Sequence, residues 1–156
     1  MRKVFSGAIC LLLFASLAMA QSKLETKWHC GKPTAEQKLP VGDTADHAYV
    51  ITQGTCTATS SKSGEKMGAY TEFQEARKGA FANHGRFNVT MDNGDKTYYT
   101  YEGTGYPGKK AASNKWKILS GTGKHKGIKG SGTCSGTLLD DGSSDWACTG
   151  TFSMGK

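Results

Sequence analysis

Proline is scarce, with 3 residues in a chain of 156, and no long apolar run follows residue 20. The second absence leaves no candidate for a membrane-spanning helix, which takes about 20 apolar residues. Glycine is abundant but shows no three-residue period, which excludes collagen. No C-x2-C spacing occurs, so a zinc site built from the cysteines is disfavoured. There is no G-x-S-x-G nucleophile turn, and His29, His47, His84 and His125 have no paired spacing such as H-x3-H. Each histidine reads as an ordinary surface or edge residue. The hydrophobic fraction is 37% and the aromatic fraction 10%, too high for a disordered chain. What is present is 21 glycines scattered among Thr, Tyr, Phe and Trp. That mixture reads as many short strands joined by tight turns, an all-β domain.

Met1 to Ala20 has the layout of a signal peptide. Arg2 and Lys3 form a positive start, Ala8 to Leu17 a short apolar core, and Ala18-Met19-Ala20 a small-x-small cleavage site. Cys10 lies inside the apolar core, without the context of a lipidated cysteine. The expectation is an exported chain, periplasmic or extracellular, whose residues 21–156 form a single β-barrel domain. Losing Arg2 and Lys3 lowers the formal charge from +7 to +5. That charge is spread along the chain, and its densest cluster, Lys124, Lys126 and Lys129, reads as a solvated face or strand guard. No nucleic-acid partner is expected from it.

Cys30, Cys56, Cys134 and Cys148 then form an even set, as expected of two disulfides in an exported chain. The segment between Cys134 and Cys148 centres on Asp140-Asp141-Gly142. A three-residue loop with Gly142 in the left-handed region closes a common hairpin. Counting outward, Leu139 faces Ser143, and Cys134 then faces Cys148 at a non-hydrogen-bonded site. Cα atoms there approach to about 4.5 Å, within reach of a disulfide. The same register sets Gly136 opposite Trp146, so the indole covers a bare glycine. Cys30 with Cys56 follows by elimination.

Eight strands are expected: Ser22 to Gly31, Ala48 to Thr59, Lys66 to Arg77, Phe81 to Met91, Asp95 to Glu102, Ser113 to Leu119, Thr133 to Leu139 and Ser144 to Met154. Lys32 to Asp46 and Gly103 to Ala112 read as loops, and Gly121 to Gly130 as a glycine-punctuated connection. In Ala48 to Thr59, Tyr49, Ile51 and Gln53 point one way, and Val50, Thr52 and Cys56 the other. At Asp92-Asn93-Gly94 a three-residue loop pairs Phe87 with Tyr99 and Val89 with Thr97. It is preferred over an Asn-Gly turn because it gathers Phe87, Val89, Tyr99 and Tyr101 on one face.

Candidate chemistry is sparse. Gly121-Thr122-Gly123-Lys124 lacks the upstream glycine and downstream hydroxyl of a phosphate loop. The acidic turns at Asp92 to Asp95 and Asp140 to Asp145 do not fit a calcium loop and read as turn chemistry. Neither a metal nor a cofactor is expected, and no catalytic residue is assigned. Aromatic residues are the better lead. Singly, each is best read as filling for a small barrel. As a group, Tyr49, Gln53, Phe73, Phe87, Tyr99, Tyr101 and Trp116 are the candidate ligand-binding set, an apolar pocket with polar handles.

The run from Ile118 to Gly130 carries glycines at 121, 123, 127 and 130. It resembles the signature G-[ST]-G-x-[FY]-x-G-x-x-G of the allene oxide cyclase and dirigent barrels. Ser120 replaces a frequent glycine, and His125 stands where an aromatic is usual. Asn114 to Cys134 is also similar to a pattern in small exported bacterial proteins of no named activity. The resemblance implies an eight-stranded antiparallel barrel of the allene oxide cyclase or calycin type, with a central cavity for small hydrophobic molecules. No catalytic residue of those families aligns here. Two expectations follow: a non-enzymatic exported barrel that binds a small hydrophobic ligand or serves as an interaction module, and, as the alternative, a cyclase or isomerase that confines its substrate. Glu72, Glu75 or Glu102 buried beside an open cavity favours the second.

Overall fold

The computed structural model of the protein describes residues 21–155. The expected signal peptide, with Cys10, lies outside the described residues. Nine strands follow in order: β1 (Ser22–Cys30), β2 (Ala35–Pro40), β3 (Ala48–Ser61), β4 (Glu65–Arg77), β5 (Ala80–Met91), β6 (Lys96–Tyr106), β7 (Ala111–Gly121), β8 (Lys129–Leu138) and β9 (Ser144–Ser153). From β3 to β9 each strand pairs antiparallel with the next in sequence. β1 pairs with β9 on one side and β3 on the other, which closes an eight-stranded barrel. Among the described residues, no helix is long and apolar enough to cross a membrane.

Two hairpins adopt the expected register. Phe87 faces Tyr99 and Val89 faces Thr97. Gly94 closes that loop at φ +84°, its N–H donating to the Met91 carbonyl at 2.9 Å. Gly142 does the same at φ +85°, donating to Leu139 at 3.1 Å. Only a residue without a β-carbon takes that backbone angle at no steric cost. Cys134 is bonded to Cys148 across β8 and β9, with Cα atoms 4.0 Å apart. Cys30 is bonded to Cys56 with Cα atoms 3.9 Å apart, on the seam where β1 meets β3.

Two expected loops differ. Lys32 to Asp46 contains β2, every residue of which is exposed. An exposed strand has no alternation to read. It forms because β1 covers β3 only from Cys56 onward, leaving the backbone of Ala48–Gln53 to be paired by β2. The second difference is Gly103 to Ala112, where β6 instead runs on to Tyr106 and β7 begins at Ala111. Gly103 and Gly105 read as loop residues, yet Gly105 lies in β6 because the ring of Phe81 occupies the place of its side chain.

The two barrel ends differ in packing. At one end Leu24, Met91, Ile118 and Ile128 are buried around Thr97, which has no exposed surface. Fully burying an aliphatic side chain of this size contributes about 1.5–3 kcal/mol. The other end is ringed by Pro107, Gly79, Gly142 and Pro33 and stays open.

Candidate functional site: the barrel cavity

The side-chain period of two means that one known inward residue fixes a whole strand. In β3 the buried positions are Ala48, Val50, Thr52, Gly54 and Cys56. Their partners on β4 are Ala76, Gln74, Glu72, Tyr70 and Gly68. The register carries this face on to Phe87 and Val89 of β5, Tyr99 and Tyr101 of β6, and Trp116 of β7.

Large rings on this face lie over glycines of nearby strands. Phe87 covers Gly68, Tyr70 covers Gly54, Tyr101 covers Gly85, and Trp116 covers Gly132 and Gly150. Trp146 covers Gly136, as the register predicts. The rings therefore lie along the wall. A cavity of about 660 Å³ remains inside the barrel. The aromatics that singly read as filling thus leave an open interior.

Glu72 is the polar centre of the wall. Its Oε2 accepts from Asn83 Nδ2 at 2.8 Å and from the Tyr101 hydroxyl at 2.8 Å. Its Oε1 accepts from the Thr52 hydroxyl at 3.2 Å and from Gln74 Nε2. Burial, and then the charge of Glu72, push the Tyr101 hydroxyl far above the ordinary tyrosine range. The same two causes raise Tyr70 to about 12. Both hydroxyls stay protonated, as the donor role of Tyr101 demands. Asn83 Oδ1, Asn114 Oδ1 and Trp116 Nε1 are buried in this wall without a partner. Glu65 closes the far end. It is 5% exposed and accepts from the hydroxyls of Thr26, Ser61, Ser63 and Tyr99.

Four of the seven candidate residues, Phe87, Tyr99, Tyr101 and Trp116, line the cavity together. Tyr49, Gln53 and Phe73 do not. Tyr49 and Gln53 occupy the outward face of β3, and Phe73 sits opposite Ile51 on the same outer surface. There Tyr49 stacks on Phe73 at 5.2 Å between centroids, and Phe73 on His84 at 5.4 Å. Both faces of β3 carry apolar residues, so alternation alone does not say which is inside. The disulfide does: Cys56 must share the inward face of Trp28 and Cys30. That signal also finds Trp28, Thr52, Tyr70 and Glu72, cavity residues absent from the candidate set. Glu75 and Glu102 are exposed on the outside.

His47 departs from the expectation of an ordinary surface histidine. It is 6% exposed beside the open end. Its Nδ1 lies 2.6 Å from Asp43 and its Nε2 3.0 Å from Glu75. Both ring nitrogens of His47 thus face a carboxylate oxygen. The contact ties the β2–β3 loop to β4.

No family model matches the chain, and no curated protein matches it in sequence. Solved structures do. The pterocarpan synthase dirigent protein GePTS1 superposes with a TM-score of 0.52 at 12% identity, covering 88% of this chain and 87% of that one. The pterocarpan synthase dirigent protein PsPTS1 gives the same score and identity, with 97% of its chain covered. The fold is the dirigent-type barrel. The resemblance read from the glycines at 121 to 130 and the closed ring of eight strands point to this one architecture. At 12% identity the likeness to a dirigent barrel concerns the path of the chain alone.

Proposed function

We propose that this protein is an exported, non-enzymatic barrel that binds one small, mostly apolar molecule in its lumen. The observation that carries the reading is the cavity of about 660 Å³ itself. Its walls are aromatic, and a few polar groups converge on Glu72, the mixture expected of a small-molecule site. Two disulfides support export, since such bonds persist in oxidising compartments. The dirigent-type fold supports a lumen used for small molecules only by analogy.

One observation favours catalysis by confinement instead: Glu72 stands in the wall of an open cavity. Against proton transfer, each of its oxygens already accepts two hydrogen bonds. Taking a substrate proton means breaking one of them. Binding is therefore the stronger reading.

Native mass spectrometry of protein purified from its own source tests it, together with thermal shifts across a panel of small hydrophobic compounds. A co-purifying small molecule, or a rise in Tm with one class of compound, is expected. No bound species and no shift across the panel overturns the proposal.

A further inference from the structure

The charge inside the barrel is one-sided. The inward positions of the eight closed strands hold Glu65 and Glu72 but no Lys or Arg. Lys23, Lys27, Arg86, Lys96, Lys115, Lys117 and Lys129 all alternate to the outside. Outside that ring, Lys38 of β2 and Arg77 at the end of β4 also line the cavity, where Glu36 and Asp46 accompany them. Arg77 is engaged there by Asp43 at 3.6 Å. Among the described residues, neither interior glutamate has a cationic partner. Glu65 is spent at the closed end on four hydroxyls. Glu72 faces the cavity.

Glu72 is half-buried, and a carboxylate partly withdrawn from bulk water loses hydration that neutral donors only partly offset. An occupant of positive charge recovers the remainder. The wall says what kind of cation. Glu72 has its lone pairs taken by Thr52, Gln74, Asn83 and Tyr101, so it offers charge without a free coordination position. Among the described residues there is also no group of three metal-ligating side chains. The surrounding faces are those of Trp28, Phe87, Tyr99 and Trp116. Aromatic faces attract organic cations through the ring quadrupole, and do so more strongly when water is excluded. A quaternary or tertiary ammonium asks for such a setting: charge nearby, π faces around it, and few hydrogen bonds.

We infer that the cavity selects a small organic ammonium with apolar substituents over neutral or anionic molecules of the same shape. This rests on the reading that the lumen holds a ligand. It adds the ligand's class.

The test uses three matched probes on the intact, disulfide-bonded protein: benzyltrimethylammonium, its carbon isostere neopentylbenzene, and 3-phenylpropanoate. Binding is followed by quenching of tryptophan fluorescence and by calorimetry. The ammonium is expected to bind about tenfold tighter than the isostere, and the carboxylate weakest. In Glu72→Gln the preference is expected to shrink severalfold, the aromatic faces keeping part of it, while the isostere still binds. If that variant does not fold, the ratio in the unaltered protein decides. Equal binding of ammonium and isostere, or tighter binding of the carboxylate, overturns the charge inference and leaves the cavity reading standing. No binding of any probe up to millimolar concentration overturns both.

Discussion

The ring of Phe87 lies across Gly68 on the neighbouring strand, its Cζ only 2.0 Å from where a β-carbon would stand. Gly68→Ala therefore forces the ring out of place. Overpacking of this kind costs about 1–3 kcal/mol. Urea denaturation of Gly68→Ala, Phe87→Ala and the double variant checks it. The double variant is expected to be clearly less unstable than the sum of the singles. Strict additivity would show that the ring and the glycine do not depend on each other.

The disulfides differ in what they close. Cys134 and Cys148 are 14 residues apart, and Cys30 and Cys56 are 26 apart. Chain entropy assigns about 3 kcal/mol to the first and about 0.5 kcal/mol more to the second. Replacing each pair by alanine is expected to lower Tm, with the larger drop for Cys30 and Cys56. The reverse order, measured by calorimetry on both variants, would refute the entropic ranking.

Three interior tyrosines shape the alkaline side of the stability curve. Burial and a nearby glutamate raise Tyr70 to about 12, and Tyr99 and Tyr101 beyond it. Unfolded, each loses its proton near 10.0. The unfolded state therefore binds fewer protons in this window, and stability falls as pH rises. For Tyr70 the loss begins at the unfolded value and is complete near the folded one. Denaturant titrations at about pH 9 and about pH 11 are expected to show the decline, and Tyr70→Phe to reduce it. A flat profile for the unaltered protein contradicts the burial of these hydroxyls.

The acid side has a different origin. The backbone N–H of Lys124 donates to Asp95 at 3.0 Å and holds its carboxyl below the ordinary 3.8, with Asn93 and His125 adding to the effect. A lowered folded value means stability that is present above the unfolded value and lost as pH falls through the folded one. Asp95→Asn is expected to flatten that part of the curve. Parallel curves for the variant and the unaltered chain between about pH 5 and about pH 2 would exclude the contribution.

Much of the barrel is legible without coordinates. At Asp92-Asn93-Gly94 only one closure keeps an apolar face together, and at Asp140-Asp141-Gly142 the three-residue loop sets the register. The first places Phe87, Tyr99 and Tyr101 inside, and the second brings Cys134 to Cys148. Trp116 follows from the alternation of β7. Tyr49, Gln53 and Phe73 were legible too, but only through Cys56, whose bond to Cys30 decides which face of β3 is inward. Apolarity misleads there because the outer surface carries its own aromatic stack of Tyr49, Phe73 and His84. β2 was not legible, since what stabilises it is vacant backbone on β3 rather than any pattern of its own. The Glu72 network was legible only in part. One glutamate can be suspected from parity, but its four donors come from β3, β4, β5 and β6 and meet only when the sheet curls.

The seam at β1 sets the order in which the chain can assemble. Every other strand of the ring has a partner next to it in sequence. β1 has none: Ser22 pairs with Phe152, at the far end of the described chain, and Cys30 pairs with Cys56. Local hairpins close quickly, and distant pairings wait for the chain between them. During synthesis β1 emerges before all its partners and completes its pairing after all of them. Until β9 exists, Trp28 is flanked by a strand on one side only and Leu24 on neither. The first-made strand of the ring is thus the keystone set last.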